Sequence, residues 1–284
     1  MPELPEIETI RTGLTSLMEG QKIQRAAIGK LALRHPFPDA LSDVLTGARI
    51  TQLRRRSKYI LIDLDNEQTL IVHLGMSGRI FLTAPSQITT AQQENMLPEK
   101  HDHFALLLSN GVHFRFNDTR RFGAIVLYDT KDEHTTEFLS GLGPEPLGNA
   151  FHQTYLLKAI SNRKSAIKTT LLDQKVIAGI GNIYASEALW RAGIAPTRKA
   201  NTLSEPEAHT LVRAVVHTLQ DAIDVGKSTL GGFDTQGGEL GYFEKTFDVY
   251  EHANETCTKP ECNGKIERIV QQSRSTYFCP KCQQ

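Results

Sequence analysis

From Glu6 onward, apolar residues fall at Ile7, Ile10, Leu14, Leu17 and Met18, the spacing of one face of a helix, and Gly20 supplies a stop. The pattern then shortens. Runs rich in β-branched and large apolar residues lie around 23–28, 50–53, 59–64, 69–74, 103–108, 112–116 and 124–128, with Asp65-Asn66 and Asn110-Gly111 as hairpin turns between neighbours. This half predicts an antiparallel sandwich or barrel. The stretch 86–100 is polar and unpatterned and reads as a surface loop. Beyond the breaker-rich run Gly141–Gly148 the period turns helical over 155–160, 165–172, 183–192 and 204–225, the last opened by a Ser204/Glu207 capping box. The chain therefore reads as a multidomain α+β protein. The expected segments are 1–135 (sandwich), 136–150 (linker), 151–226 (helices), 227–246 (a loop carrying the glycine-rich run 231–238) and 247–284 (a cysteine-bearing tail). No solenoid repeat is visible.

Composition adds limits rather than detail. At 284 residues, 39% hydrophobic and 23% charged, the chain has material for two domains with their own cores. No run of 18 apolar residues occurs and the N-terminus is acidic, so neither a membrane span nor a signal peptide is expected, and the protein is expected to be cytoplasmic. Net charge is zero, which gives no whole-molecule pull toward a polyanion. Cations are concentrated locally, however, in Arg54-Arg55-Arg56-Ser57-Lys58, in Arg163-Lys164 with Lys168, and in the tail, where Lys259, Lys265, Arg268, Arg274 and Lys281 face only Glu261 and Glu267. Each patch taken alone is equally well a solvated face.

The candidate chemistry begins at Pro2-Glu3-Leu4-Pro5-Glu6. Removal of Met1 would leave a secondary amine beside carboxylates, able to attack the anomeric carbon of a sugar. By itself the run is better read as a helix start, with Pro5 in the first turn and Glu6 and Glu8 near the positive dipole end. The tail is more specific. Cys257-x4-Cys262 and Cys279-x2-Cys282, sixteen residues apart, place four thiolates at spacings that close a tetrahedral zinc site, and all four cysteines of the chain lie there. A short hairpin between the pairs has little core, so the metal would supply its folding energy. Arg268 and Arg274 on that hairpin suit phosphate recognition.

Gly179-Ile180-Gly181-Asn182 lies between two helical patterns and offers either an anion site at a helix N-terminus or a plain turn. Asp118-Thr119-Arg120-Arg121-Phe122-Gly123 sets two guanidiniums beside an aromatic, a combination suited to filling a gap in a base stack or to a salt-bridged loop. Met76 in His73-Leu74-Gly75-Met76-Ser77-Gly78 is a second possible wedge, or a buried methionine. Lys58 is a phosphate contact, a proton carrier or a solvated strand end. His101-Asp102-His103 lacks a third ligand nearby and reads as polar or DNA-facing rather than metallic.

These motifs, taken in order with Leu142-Gly143-Pro144-Glu145-Pro146-Leu147, Gly181-Asn182-Ile183-Tyr184-Ala185-Ser186-Glu187 and Cys279-Pro280-Lys281-Cys282-Gln283, resemble the bacterial formamidopyrimidine-DNA glycosylases over nearly the whole length. The resemblance implies an N-terminal β-sandwich with an N-terminal helix, a helix-two-turn-helix module and a zinc-binding β-hairpin. It implies a monomer that acts on damaged double-stranded DNA, holds one structural Zn2+ and no organic cofactor, and does not engage a membrane. The activity implied is excision of oxidised purines, such as 8-oxoguanine and formamidopyrimidines, followed by strand cutting on both sides of the lesion. In that scheme Pro2 is the nucleophile, Glu3 the acid that assists ring opening, Glu6 a support for proton movement, Lys58 the residue of the first elimination and Arg274 of the second. Met76, Arg120 and Phe122 would fill the hole left by the flipped nucleotide. His73, His101, Arg121, Arg163, Lys164, Asn182, Tyr250, Arg268 and Arg274 would lie near the backbone.

Three features depart from the family pattern. The first cysteine pair has four intervening residues where two are common, Gly231-Gly232 stands where a cation is frequent in the lesion-contact loop, and the chain is neutral where many relatives are basic. Two other readings remain open at this stage: a related glycosylase of the endonuclease VIII type selecting oxidised pyrimidines, against which Leu4 and Arg120-Arg121-Phe122 argue, and a non-catalytic DNA-binding module.

Overall fold

The computed structural model describes residues 2–88, 95–230, 236–239 and 246–284. Met1, Gly231 and Gly232 lie outside the described residues. The chain divides into two compact units, one comprising 1–140 with 225–243 and the other 141–224 with 244–284.

The first unit is a sandwich of antiparallel sheets. One sheet has the order β1 (Ile23–Ile28), β6 (Asp102–Leu108), β7 (His113–Asp118), β5 (Gly78–Thr83), β9 (Gln236–Glu239). The other has the order β2 (Ile50–Arg56), β3 (Tyr59–Leu64), β4 (Gln68–His73), β8 (Ala124–Asp129). Alternation places Ile80, Leu82, Phe104, Leu106, Phe114 and Phe116 of the first sheet in one core with Ile60, Ile62, Leu70, Val72 and Ile125 of the second. Helix α1 (Leu4–Met18) closes this core with Ile7, Ile10, Leu14 and Met18, the face that the sequence spacing predicts. It begins two residues earlier than that spacing alone indicates, because Glu3 and Glu6 cap it.

Three elements depart from the sequence expectation. Strand β5 is hidden by the glycines before it and Pro85 after it, and the short helix α2 (Leu41–Leu45) is too brief to show a period. Part of the expected glycine-rich loop is strand: Gln236–Glu239 pairs with β5, Phe81 opposite Glu239 and Thr83 opposite Gln236. The stretch expected as a surface loop also sends one anchor inward, since Met96 is buried.

The second unit holds α3 (Gln153–Ile160), α4 (Ile167–Leu171), α5 (Asn182–Ala192), the first part of α6 (Glu205–Leu230), and the hairpin β10 (Glu267–Gln271)–β11 (Arg274–Phe278). Gly193 ends α5 in the left-handed conformation at φ 73°, as a C-terminal glycine should. The run after Gly141 is fastened to this unit. Gly143 N–H donates to the Gln174 carbonyl at 2.7 Å, and Ala178 N–H to the Pro144 carbonyl at 3.0 Å. A Cβ on Gly143 would stand 2.7 Å from the Lys175 carbonyl oxygen, which explains the glycine. No helix among the described residues is long and apolar enough to cross a membrane.

Candidate active site and metal centre

The N-terminal corner is built by reciprocal capping. Glu3 is the N-cap of α1 and is buried, and the Glu6 carboxylate accepts the Glu3 N–H at 2.8 Å, closing a capping box with acidic groups at both ends. Such boxes are usually headed by Ser or Thr, so the Glu3/Glu6 pair is hard to read in sequence. Pro2, half-buried, enters directly from this fixed corner.

One turn further along α1, Glu8 binds Arg11 at 2.5 Å and Arg55 at 2.9 Å. Burial pushes the Glu8 carboxyl up, but the two guanidiniums outweigh it and hold the group below its ordinary value. Arg55 also donates to the Ser57 carbonyl at 3.0 Å, fastening the β2–β3 turn to α1. That turn needs Ser57 at φ 55° and delivers Lys58, which is buried. The arginine run is thus neither solvated nor an open phosphate patch: Arg54 binds Asp63 at 2.6 Å and Glu133 at 2.9 Å, while Arg55 supports the lysine turn. Glu133 and Glu8 lie 79 and 47 residues away in sequence, which is why the run looks uncommitted there.

His73 ends β4 opposite Tyr59, with ring centroids 4.8 Å apart. Burial, reinforced by Lys58, Arg34 and His35, pulls its imidazole down to about 4, so it is neutral at pH 7. The loops after His73 and after β7 pack back to back. A Cβ on Gly75, at φ 58°, would stand 2.5 Å from the Phe122 carbonyl carbon, and one on Gly123 would stand 2.6 Å from the Phe116 ring and 2.8 Å from the His73 carbonyl oxygen. Asp118, fully buried, ties the pair together, accepting from Ser77 Oγ at 2.5 Å, Arg120 N at 3.1 Å and Gly123 N at 2.8 Å. This scaffold brings Met76 and Phe122 to the surface of one site, 49% and 44% exposed, where large apolar side chains are otherwise costly. The Arg120 guanidinium sits over the Phe122 ring at 4.7 Å, and exposed Arg121 takes φ 57°. Beside them lies a cavity of about 450 Å3 that Leu33 and Arg34 also line.

Of the two readings open for His101-Asp102-His103, two of its members take the polar one. Asp102 is buried and holds Arg115 at 3.0 Å and Asn117 at 2.9 Å, while His103, also buried, uses Nε2 on the Asp118 carbonyl at 2.9 Å. Strand alternation does not separate them because both faces of β6, an interior strand between β1 and β7, are covered here. Only His101 stays partly exposed.

In the second unit Lys168 is not a surface cation. It is 1% exposed, and its ammonium donates to Asn182 Oδ1 at 2.8 Å, Thr276 Oγ1 at 2.8 Å and the Ser275 carbonyl at 3.1 Å. The Asn182 amide donates to that same carbonyl at 2.8 Å. The side chain expected to add to an anion site therefore fastens the hairpin to the start of α5. Arg163 binds Asp173 at 2.8 Å and stays partly exposed, and Lys164 is exposed. Glu187, buried on α5, accepts three successive backbone N–H groups, those of Asp248, Val249 and Tyr250, at 2.9–3.0 Å. Sequence reasoning gave Glu187 no task, since its partners lie some sixty residues away. Tyr250 is set edge-on to Phe247 and Tyr277 at centroid distances of 6.0 and 5.1 Å. On the hairpin, Arg268 lies opposite Tyr277 and reaches Ser275 Oγ at 2.9 Å, whereas Arg274 lies opposite Gln271. The pleat sends the two arginines to opposite faces, Arg274 to the face of buried Thr276.

The four cysteines meet at one point. The Sγ atoms of Cys257, Cys262, Cys279 and Cys282 all lie within 4.8 Å of one another, with Cys257–Cys282 at 3.8 Å and Cys262–Cys279 at 3.7 Å. A tetrahedron with ~2.3 Å metal–sulfur bonds has edges of ~3.8 Å, so the donor set fits a tetrahedral ion. Burial pushes the Cys282 thiol up, helped by the other cysteines, whereas at Cys257 the opposing effect of burial is outweighed by hydrogen bonds led by that from Trp190, which bring it to about 7. Gly264 is required at the knuckle, since a Cβ there would stand 2.7 Å from Cys279 Sγ.

Family comparison resolves what this assembly is. Residues 1–125 match the formamidopyrimidine-DNA glycosylase N-terminal domain, 142–234 the formamidopyrimidine-DNA glycosylase H2TH domain, and 260–284 the zinc finger found in FPG and IleRS. The chain belongs to the formamidopyrimidine-DNA glycosylase family. It is 49% identical over 283 residues to the formamidopyrimidine-DNA glycosylase of Roseobacter denitrificans, covering 100% of both chains, and 48% identical, with the same coverage, to that of a Ruegeria species. Among solved structures it resembles the Lactococcus lactis Fpg in complex with DNA containing an abasic site, at TM-score 0.84 and 32% identity over 99% of each chain. A complex of a mutant of that protein with Fapy-dG-containing DNA matches at TM-score 0.85 and 32% identity over 100% of each chain. The family's sandwich, helix-two-turn-helix and cysteine-hairpin architecture is the one described above. The chain is accordingly a DNA-repair enzyme, a glycosylase and abasic-site lyase acting on damaged DNA.

Proposed function

We propose that the chain excises oxidised purines, 8-oxoguanine and formamidopyrimidines, from duplex DNA through a Schiff base on Pro2, and then cuts the strand by β- and δ-elimination. The carrying observation is the corner in which Pro2 leaves a Glu3/Glu6 capping box while Arg55, bound to Glu8 and to the Ser57 carbonyl, brings the Lys58 turn to the same helix. Once Met1 is removed, Pro2 carries a secondary amine whose ordinary pKa lies near ~8, so a useful fraction is unprotonated at neutral pH. That nitrogen attacks the sugar C1′, the C1′–base bond breaks, and proton donation from Glu3 to the ring oxygen opens the sugar to the iminium, with Glu6 supporting proton movement. Loss of a C2′ proton then expels the 3′ phosphate, a step Lys58 serves. Arginine does not deprotonate, so Arg274 serves the second elimination by stabilising charge on the departing 5′ phosphate.

Flipping the lesion out of the stack costs a few kcal/mol, and Met76, Arg120 and Phe122 fill the space it leaves, with Arg120 facing the orphaned base. His73 contacts the duplex as a neutral ring, and His101, Arg121, Arg163, Lys164, Asn182, Tyr250, Arg268 and Arg274 lie along its backbone. The four cysteines hold one structural Zn2+, which supplies folding energy to the hairpin and takes no part in the chemistry. The enzyme works as a cytoplasmic monomer without organic cofactor. The DNA-bound relatives support the duplex substrate.

Borohydride trapping on duplexes carrying 8-oxoguanine or an oxidised pyrimidine tests the reading. A covalent adduct that favours 8-oxoguanine and is lost in Pro2→Gly is expected. Tight binding without an adduct, in protein shown to start at Pro2, would refute the lyase mechanism, and preference for the pyrimidine would refute the lesion class.

A further inference from the structure

The four-residue knuckle between Cys257 and Cys262 departs from the spacing common in the family, and the structure gives it a partner. Trp190, the only tryptophan of the chain, lies on the last turn of α5 and is 7% exposed. Its indole Nε1–H donates to Cys257 Sγ at 3.3 Å. It packs in one cluster with Val249, Ile266, Cys257 and Cys279, so the indole is the largest side chain in the small core around the thiolates. Lys259, inside the wider knuckle, folds back across the other side of it: the ammonium sits 5.1 Å from the indole ring and 3.5 Å from the Arg191 carbonyl. A knuckle two residues shorter would have less chain from which to cover the ring. The cation thus rests on the π-face of the ring whose N–H serves the sulfur.

We infer that Trp190 is a positioning residue of the metal centre and that Lys259 is its cover, the two forming an outer shell that retains the ion. The inference rests on the reading that the four cysteines bind a metal. A thiolate that ligates a divalent ion keeps lone-pair density, and an N–H donor on that sulfur withdraws part of it, fixes the rotamer of Cys257 and reduces attack by protons and oxidants. Outer-shell donors of this kind typically change metal affinity by about 10–100-fold when removed. Placement also matters. Lys168 and Asn182 grip the hairpin at Ser275 and Thr276, near its tip, while Trp190 grips the cysteine end from the opposite end of α5. One helix therefore holds the hairpin at two points, and the tryptophan contact is the one that reaches the metal ligands.

The test uses the full chain as purified with zinc, and the same chain after exchange to cobalt. Trp190→Phe keeps most of the ring and removes the N–H. It is expected to release zinc to a chromophoric chelator with an affinity loss of about tenfold. In the cobalt form, the thiolate-to-metal charge-transfer band is expected to move to longer wavelength, because a sulfur without its donor gives up an electron more easily. Lys259→Ala should cause a smaller affinity loss and shift the tryptophan emission to the red, reporting an uncovered indole. If Trp190→Phe folds poorly, 3-benzothienylalanine at position 190 replaces only the N–H by sulfur and should reproduce the band shift. Unchanged zinc retention together with an unchanged cobalt spectrum in either replacement would overturn the inference. Failure of the parent chain to bind zinc or cobalt at all would overturn the metal reading beneath it, a result distinguishable from the first.

Discussion

Replacement of Lys168 by methionine separates two physical roles for one cation. If Lys168 were a surface phosphate contact, one of the two readings open to a basic patch near Arg163-Lys164, Lys168→Met would weaken DNA binding, reduce the slope of log affinity against log salt by about 1, and leave folding within ~0.5 kcal/mol of the parent. The structure places the ammonium 1% exposed, with Asn182 Oδ1, Thr276 Oγ1 and the Ser275 carbonyl as acceptors at 2.8, 2.8 and 3.1 Å. Hydrogen bonds to a charged group contribute ~1.5–3 kcal/mol each, so three give about 4.5–9 kcal/mol gross. Against this stands the several kcal/mol needed to bury an ammonium, a cost that methionine avoids while keeping the stem volume. The difference leaves a net loss of about 2–4 kcal/mol. The check is urea unfolding of the zinc-loaded protein alongside a salt titration on a duplex with an abasic-site analogue. A lowered unfolding midpoint with a little-changed salt slope is expected, since the hairpin loses its fastening but no exposed cation disappears. Stability within ~0.5 kcal/mol of the parent, with a slope reduced by about 1, would refute the clamp.

Two further outcomes follow from the first unit. Gly75→Ala should lose excision in single-turnover assays and about 1–3 kcal/mol of stability, because an αL conformation at φ 58° is strained for alanine and the new Cβ meets the Phe122 backbone at 2.5 Å. For His73, the folded-state pKa of about 4 lies below the ordinary 6.5, so the unfolded chain takes up a proton first as pH falls. The fold then loses stability progressively between about pH 6.5 and 4, by at most about 3 kcal/mol at this residue, with no effect above that window. Chemical denaturation across pH 4–7 should show this slope reduced in His73→Asn, and an unchanged slope would contradict the assignment.

Legibility in the sequence followed the range of the interactions. The core face of α1, most strands of the sandwich and the four thiol ligands are periodicities or spacings within one segment, and they could be read directly. The Met76/Arg120/Phe122 site was readable only in part: the side chains were visible, but their convergence depends on Asp118 and on glycines that allow two loops to touch. Roles that depend on distant partners were not readable. Glu8 reaches Arg55, Glu187 reaches the backbone at 248–250, and Lys168 reaches Ser275 and Thr276, each across 47 residues or more. No local pattern marks such a residue, because its own segment is satisfied without it.

Ion pairing within the protein bears on how a neutral chain acts on a polyanion. Net charge counts every ionised group equally, but Arg54, Arg55, Arg115 and Arg198 are each matched within the protein by Asp63 and Glu133, Glu8, Asp102 and Glu207 respectively. These pairs cancel locally and contribute little field at a distance. Among the described residues no ion pair joins Arg120, Lys164, Arg268 or Arg274 to a carboxylate, and all four are exposed. These exposed cations stand where the sequence motifs place duplex contacts. Exposed Met76 and Phe122, on loops tied together by buried Asp118, are uncharged groups beside Arg120 that are able to enter the base stack.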